Sequence, residues 1–336
     1  LENEGDQQRM MEEFDREVGM LDKIRSIYVV TFIGAVYLVK KLAIVTSVDA
    51  MTGILGKLMR LLGCTPTHKY VTDLTLIKDL EYMLKKNKTS VFMYPEAGYS
   101  FDGCATTMPR KLGILMKRLG VPVVTVITEG AFHRDPLYNM LQIRDVKVSA
   151  HVKCIATAEE IKEKTVAELD TLLDEAFSFD NFKWQQENNV IIDTPTRADG
   201  LNRILFQCPH CGVEGKTEGK GTKLTCHNCG KHYELTETGF MKATDGDTRF
   251  DHIPDWYRWQ RQQVKKELEE GTYKLDVPVK IGMMVNYDAI YMVGEGRLIH
   301  DVEGFRLTGC DGKLTAEAID NYITAFRAGY QTSDDA

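Results

Sequence analysis

Two Cys-x-x-Cys pairs constrain this chain more than any other feature of its sequence. The first is Cys208-Pro209-His210-Cys211 and the second is Cys226-His227-Asn228-Cys229. Together they offer four thiolates, enough for a closed tetrahedral zinc site. Gly212, Gly215, Gly219 and Gly221 lie between them and suit the tight turns of a zinc ribbon. Two disulfides or a redox pair are the competing reading, but a redox motif has no use for a second matched pair. His210, His227 and His232 are nearby and could substitute as ligands. A closed site of this kind contributes folding free energy rather than chemistry.

The remaining cysteines, Cys64, Cys104, Cys154 and Cys310, are scattered singly. With a zinc site present, this points to a reducing, cytoplasmic compartment. The formal net charge of -7 argues against general nucleic-acid binding. Lys216, Lys220, Lys223 and Lys231 make the ribbon mildly basic, but Glu214, Glu218 and Glu234 offset them. The longest apolar run, residues 27–39, is shorter than the ~20 residues a spanning helix needs. It reads as a buried strand or core helix rather than a membrane-dipping segment.

Strand and helix patterns alternate through the first 190 residues. Helical periods occupy Gly53 to Leu62, Leu74 to Lys86 and Lys111 to Leu119. Ala43 to Val48, Thr89 to Met93, Val121 to Ile127 and Val146 to Ala156 read as strands. A helix from Thr157 to Phe177 opens on a capping-box pattern. The expected fold class is α/β, a mostly parallel sheet flanked by helices. It occupies residues 1–190 and is followed by a linker at 191–203 and the zinc ribbon at 204–240. Residues 250–330 form a C-terminal extension, with a helix from Ile253 to Glu270, β-type runs from Thr272 to Thr308 and a helix near Thr315 to Ala328. Residues 1–26 carry apolar residues at helical spacing.

The strand at Thr89 to Met93 runs into Tyr94-Pro95-Glu96-Ala97-Gly98-Tyr99-Ser100-Phe101-Asp102-Gly103. Ligands bind at the carboxyl ends of strands in α/β sheets, and here a glutamate and a serine stand at such an end. This block resembles the Phe-Pro-Glu-Gly-Thr-Arg-Ser block of the glycerolipid acyltransferases, the 1-acylglycerol-3-phosphate acyltransferase family. Gly120-Val121-Pro122-Val123-Val124 resembles that family's following Val-Pro-Val block, and Ala43 through Leu80 resembles its second strand-helix region. The ribbon, Pro254 to Trp259 and Gly294 to Leu298 resemble a bacterial branch of the family.

The resemblance implies transfer of a fatty acyl group from acyl-CoA or acyl-carrier protein to a lysophospholipid or glycerol-phosphate hydroxyl. It implies peripheral contact with the cytoplasmic membrane. It also implies a histidine general base oriented by an aspartate five positions later. The first histidine of the chain is His68, and Asp73 follows at that spacing, so these are the candidate pair. They stand closer to Glu96 than the family pattern places its pair, which implies that the chain lacks part of an N-terminal segment or has lost activity. Glu96, Ser100 and Gly103, with Tyr99 where the family has arginine, are the implied acceptor-binding residues. Lys69 and Arg110 are the implied phosphate contacts. A non-catalytic lipid- or protein-binding module is the alternative expectation. Trp256, Tyr257 and Trp259 read as core packing, with a membrane-interface role as the alternative. His133 and Asp135 could line the crevice of Glu96 or lie in a surface loop.

Overall fold

The computed structural model describes residues 42–47, 51, 53–61, 63–67, 74–96, 99–106, 108, 112–285 and 289–309. The expected elements at residues 1–26, 27–39 and 315–328 lie outside these. No helix among the described residues is long and apolar enough to cross a membrane.

Three short strands form a parallel sheet in the order β2-β1-β3: β1 (Leu42–Ser47), β2 (Cys64–Thr67) and β3 (Ser90–Phe92). Helix α1 (Gly53–Leu61) connects β1 to β2, and α2 (Leu74–Lys85) connects β2 to β3. Each crossover is therefore helical, as parallel pairing requires. Ala43, Ile44 and Val45 of the central strand are buried. Pro66 lies in β2, an edge strand among the described residues, where a strand proline is tolerated.

Helix α3 (Leu112–Leu119) precedes β4 (Val123–Glu129), and β4 pairs with β5 (Ser149–Ala156). The sequence places both strands in a mostly parallel sheet. They instead run antiparallel to each other in a two-stranded sheet. The intervening chain holds only the four-residue helix α4 (Ala131–Arg134) and a 3-10 turn at Leu137–Asn139. Arg144 N donates to Arg134 O at 2.7 Å, which closes this segment on itself and returns the chain alongside β4. No crossover helix is present to carry it to a parallel position.

The single helix expected from Thr157 to Phe177 is two helices. In α5 (Ala158–Glu163) Thr157 and Glu160 form the predicted capping box. Lys164 is extended, and Thr165 with Glu168 opens α6 (Val166–Ala176) with a second box. A cap satisfies N–H groups that have no partner inside the helix, so the second Thr-x-x-Glu starts a new helix where apolar periodicity alone would continue the old one. Met108, Met116, Ala156, Ile161, Leu169 and Leu173 form the core here.

Residues 191–203 do not behave as the expected linker. Ala198, Leu201, Ile204 and Leu205 are buried in one core with Tyr138, Phe182, Leu224, Tyr233 and Trp256, and Ile192 is buried as well. The polar side chains of the segment bind backbone. Asn202 accepts from Gly219 N at 3.1 Å, and Arg197 Nε donates to Leu235 O at 2.6 Å. Burial therefore crosses residue 190 from both sides.

The ribbon sheet has the order β6-β7-β8-β9, all antiparallel: β6 (Thr217–Lys220), β7 (Lys223–Cys226), β8 (His232–Leu235) and β9 (Met241–Ala243). Helix α7 (Asn181–Glu187) precedes the ribbon, and helix α8 (Ile253–Glu269) starts with Pro254 in its first turn and buries Trp256 completely. Tyr257 and Trp259 pack against the same core, so these aromatics are packing residues. Beyond α8, β10 (Lys274–Val285), β11 (Ala289–Asp301) and β12 (Gly304–Gly309) form an antiparallel meander.

Candidate metal centre and the Glu96 loop

The two knuckles bring Cys208, Cys211, Cys226 and Cys229 together, with all four Sγ atoms within 4.8 Å of one another. Each knuckle is closed the same way: Gly212 N donates to Cys208 O at 2.8 Å, and Gly230 N to Cys226 O at 2.9 Å. Both glycines are left-handed, at φ 74° and 75°, which a side chain would resist. The Cys208–Cys229 and Cys211–Cys226 sulfur separations are both 3.8 Å. A tetrahedron of zinc–sulfur bonds of about 2.3 Å has an edge of about 3.8 Å, whereas a disulfide is about 2.05 Å. The donor set fits a four-thiolate metal and not two disulfides.

Burial pushes the Cys208 thiol up to about 12. Cys211 is drawn down to about 7: burial opposes this, but Val213 N–H and the Asn228 amide outweigh it. A buried thiolate group needs a cation to stay deprotonated, and a divalent metal supplies it. None of the three ribbon histidines belongs to the cluster. His227 pairs with Glu218 at 2.8 Å and His232 Nδ1 lies 2.9 Å from Thr225 Oγ1.

The second site is the loop after β3. Its acidic and hydroxyl groups hold the loop itself. Glu96 Oε2 accepts from Thr106 N at 2.9 Å and from Thr106 Oγ1 at 2.7 Å. Ser100 Oγ donates to Cys104 O at 2.6 Å and accepts from Gly103 N at 2.9 Å. Gly103 is left-handed at φ 85°, and a Cβ there would lie 2.9 Å from the Phe132 ring. Tyr99 is exposed. His68, Lys69, Asp73 and Arg110 lie outside the described residues.

What anchors this loop is a group the sequence reading did not single out. Asn181, first residue of α7 (Asn181–Glu187), binds Gly103 O through both its backbone N and its Nδ2, at 2.9 and 2.7 Å. Asp180 caps α7 by accepting from Lys183 N at 2.9 Å, and its other oxygen pairs with His252 Nε2 at 2.8 Å. His252 immediately precedes α8. The Asp180 carboxylate therefore ties α7 to the ribbon-side helix, and its neighbour Asn181 ties α7 to the Glu96 loop. Burial pushes the adjacent Cys104 thiol up, and the charges of Asp102 and Asp180 add to the effect. A thiol held protonated is inert. An aspartate just before a helix is a cap signal legible in sequence; its ion pair to a residue 72 positions away is not.

Asp180→Ala removes a cap and half of a largely buried ion pair, and is expected to cost roughly 2–4 kcal/mol. Asp180→Asn keeps a capping side chain and should cost less. Equal losses for the two, in urea melts, would show that charge alone matters here.

His133 is not a surface residue; it lines a small cavity with Tyr138, Arg144 and Arg197. It is 1% exposed, 2.8 Å from Asn181 O, and packed between Phe182 and Trp184. Burial, assisted by the Arg144 charge, pulls it from 6.5 down to about 4. Its folded value lies below its unfolded one. Its stabilising contribution is therefore complete above about pH 6.5 and is lost as pH falls to about 4. The loss is bounded at about 3 kcal/mol. His252 acts with opposite sign. Burial opposes its charged form, but the hydrogen bond and charge of Asp180 overcome this and raise it. Its contribution is complete below its ordinary value near 6.5 and fades as pH rises through the raised one. The chain should thus lose stability between pH 6.5 and 4, and His133→Phe should flatten that slope in thermal melts. An unchanged slope would assign the acid sensitivity elsewhere.

Compared with known proteins, the chain matches no protein-family model, no curated protein and no solved structure.

Proposed function

We propose that this chain is an acyltransferase-like domain of the glycerolipid type, stapled by one structural zinc ion. The observation behind the zinc is the convergence of four thiol sulfurs at tetrahedral spacing. Four protein ligands leave no position for water or substrate, so the ion stabilises the fold and does no chemistry. Support for acyl transfer comes from the Tyr94 to Gly103 block, which leaves β3 at the carboxyl end of a parallel sheet, where α/β folds hold ligands. Tyr94, Tyr99 and Phe101 are half or more exposed around it, and such aromatics suit a membrane–water interface.

In this reading acyl-CoA or acyl-carrier protein is the donor. A lysophospholipid or glycerol phosphate at the cytoplasmic membrane surface is the acceptor. His68, oriented by Asp73, takes the acceptor hydroxyl proton as the oxygen attacks the thioester carbonyl, and the thiol leaves. Lys69 and Arg110 bind the phosphate. The test is acyl transfer from a labelled thioester to lysophosphatidate by the zinc-loaded chain. His68→Ala should lower the rate at least ~100-fold; an undiminished rate removes His68 from the reaction.

A second reading, a non-catalytic lipid- or protein-binding module, is favoured by one observation. Glu96 and Ser100 already spend hydrogen bonds on Thr106, Gly103 and Cys104. Saturable binding to lysophosphatidate vesicles with no turnover in the same assay would select it.

A further inference from the structure

We propose that the cavity beneath the 136–144 loop binds one small inorganic anion of halide size. The cavity is about 10 Å³, room for one water-sized particle. Arg144, Arg197 and His133 line it together with Phe182, Leu235 and Thr236.

The wall of the cavity carries an excess of positive charge. Arg144 is 5% exposed, and its two terminal nitrogens donate to neutral oxygens: Tyr138 Oη at 3.0 Å and Arg197 O at 2.8 Å. Its Nε–H has no acceptor. Among the described residues no carboxylate forms an ion pair with it. Arg197 is 6% exposed and donates to Leu235 O and Thr194 O. Its nearest carboxylate, Glu234, is 3.7 Å away and itself 45% exposed, so solvent weakens that pairing. Two guanidinium charges therefore line one small cavity, and among the described residues Glu234 is the one carboxylate within ion-pair distance of either. Buried charges are retained where something of opposite sign compensates them. Apolar walls at Phe182 and Leu235 lower the local dielectric and strengthen attraction for an anion. His133 adds no charge near neutral pH, because burial holds it neutral. It does provide a reporter, since an anion beside it favours its charged form.

The site can be tested on the unaltered, zinc-saturated chain. Crystals grown in sodium bromide should give an anomalous peak between Arg144 and Arg197. In solution, at equal ionic strength, chloride should raise Tm in a saturable way relative to gluconate. Chloride should also raise the NMR-detected pKa of His133. Arg144→Gln, where it folds, should lose the difference between the two salts. Equal Tm and an unmoved His133 in both salts overturn the proposal. A bromide peak without the solution effects also overturns it, as binding at crystal concentration only.

Discussion

Stripping the metal with a strong chelator, or replacing Cys208 or Cys226 by Ser, is expected to unfold more than the ribbon. Structural zinc contributes on the order of 10 kcal/mol or more in small zinc modules, comparable to the whole stability of an ordinary domain. Cys208 and Cys226 are buried, so without the ion each leaves a desolvated thiol inside the core. From the sequence alone, the damage stops at a linker near residue 190. The buried cluster instead places Tyr138 and Phe182 against Leu201, Leu205, Leu224 and Trp256. Metal loss should therefore release the amides of Phe182 and Tyr138 to hydrogen exchange together with those of Leu201 and Leu205. The β3 strand, which lies outside this cluster, should keep its protection. If only residues 204–240 lose protection while zinc stoichiometry falls to zero, the core does not couple across residue 190.

The cysteine knuckles were legible because their chemistry is local: four ligands and two following glycines suffice. Amphipathic helices such as Leu74–Lys85 and Ile253–Glu269 were legible for the same reason, since a 3.6-residue period is written in the sequence. Strand Cys64–Thr67 was not, because its sequence, CTPT, carries proline and no apolar run. Only its pairing with β1 makes it a strand, and that pairing is non-local. Residues 191–203 misled for a related reason. Asp, Thr, Pro, Arg and Gly read as a solvated linker, yet Arg197 and Asn202 turn inward to bind ribbon backbone. Composition records that a side chain is polar, not whether its partner is water. At Glu96 the sequence located the loop after the strand. It could not reveal that Thr106 occupies the carboxylate, because that depends on how the loop folds back over ten residues.

Trp256→Ala is expected to cost about 3–5 kcal/mol, the largest loss from any single side chain away from the metal. Trp256 is fully buried, touches Tyr233 edge-on with centroids 4.9 Å apart, and donates from Nε1 to Gln207 O at 2.9 Å. One turn later, Gln260 is also fully buried: it accepts from Gln207 N and donates to Ile204 O, both at 2.8 Å. Helix α8 thus holds the backbone just before Cys208 by three hydrogen bonds and one large ring. Truncating the ring opens a cavity beside Tyr233 and strands a buried carbonyl, and both terms act in the same direction. Trp256→Phe separates them, since it keeps much of the packing and loses only the hydrogen bond. It should cost about 1–3 kcal/mol from the stranded carbonyl, plus a small cavity term. Zinc affinity should fall in Trp256→Ala as well, because the 204–207 backbone that α8 clamps leads directly into the first knuckle. A chelator competition showing unchanged affinity in that variant would mean the knuckle is preorganised by its own turns. The helix would then stabilise the fold without contributing to the metal site.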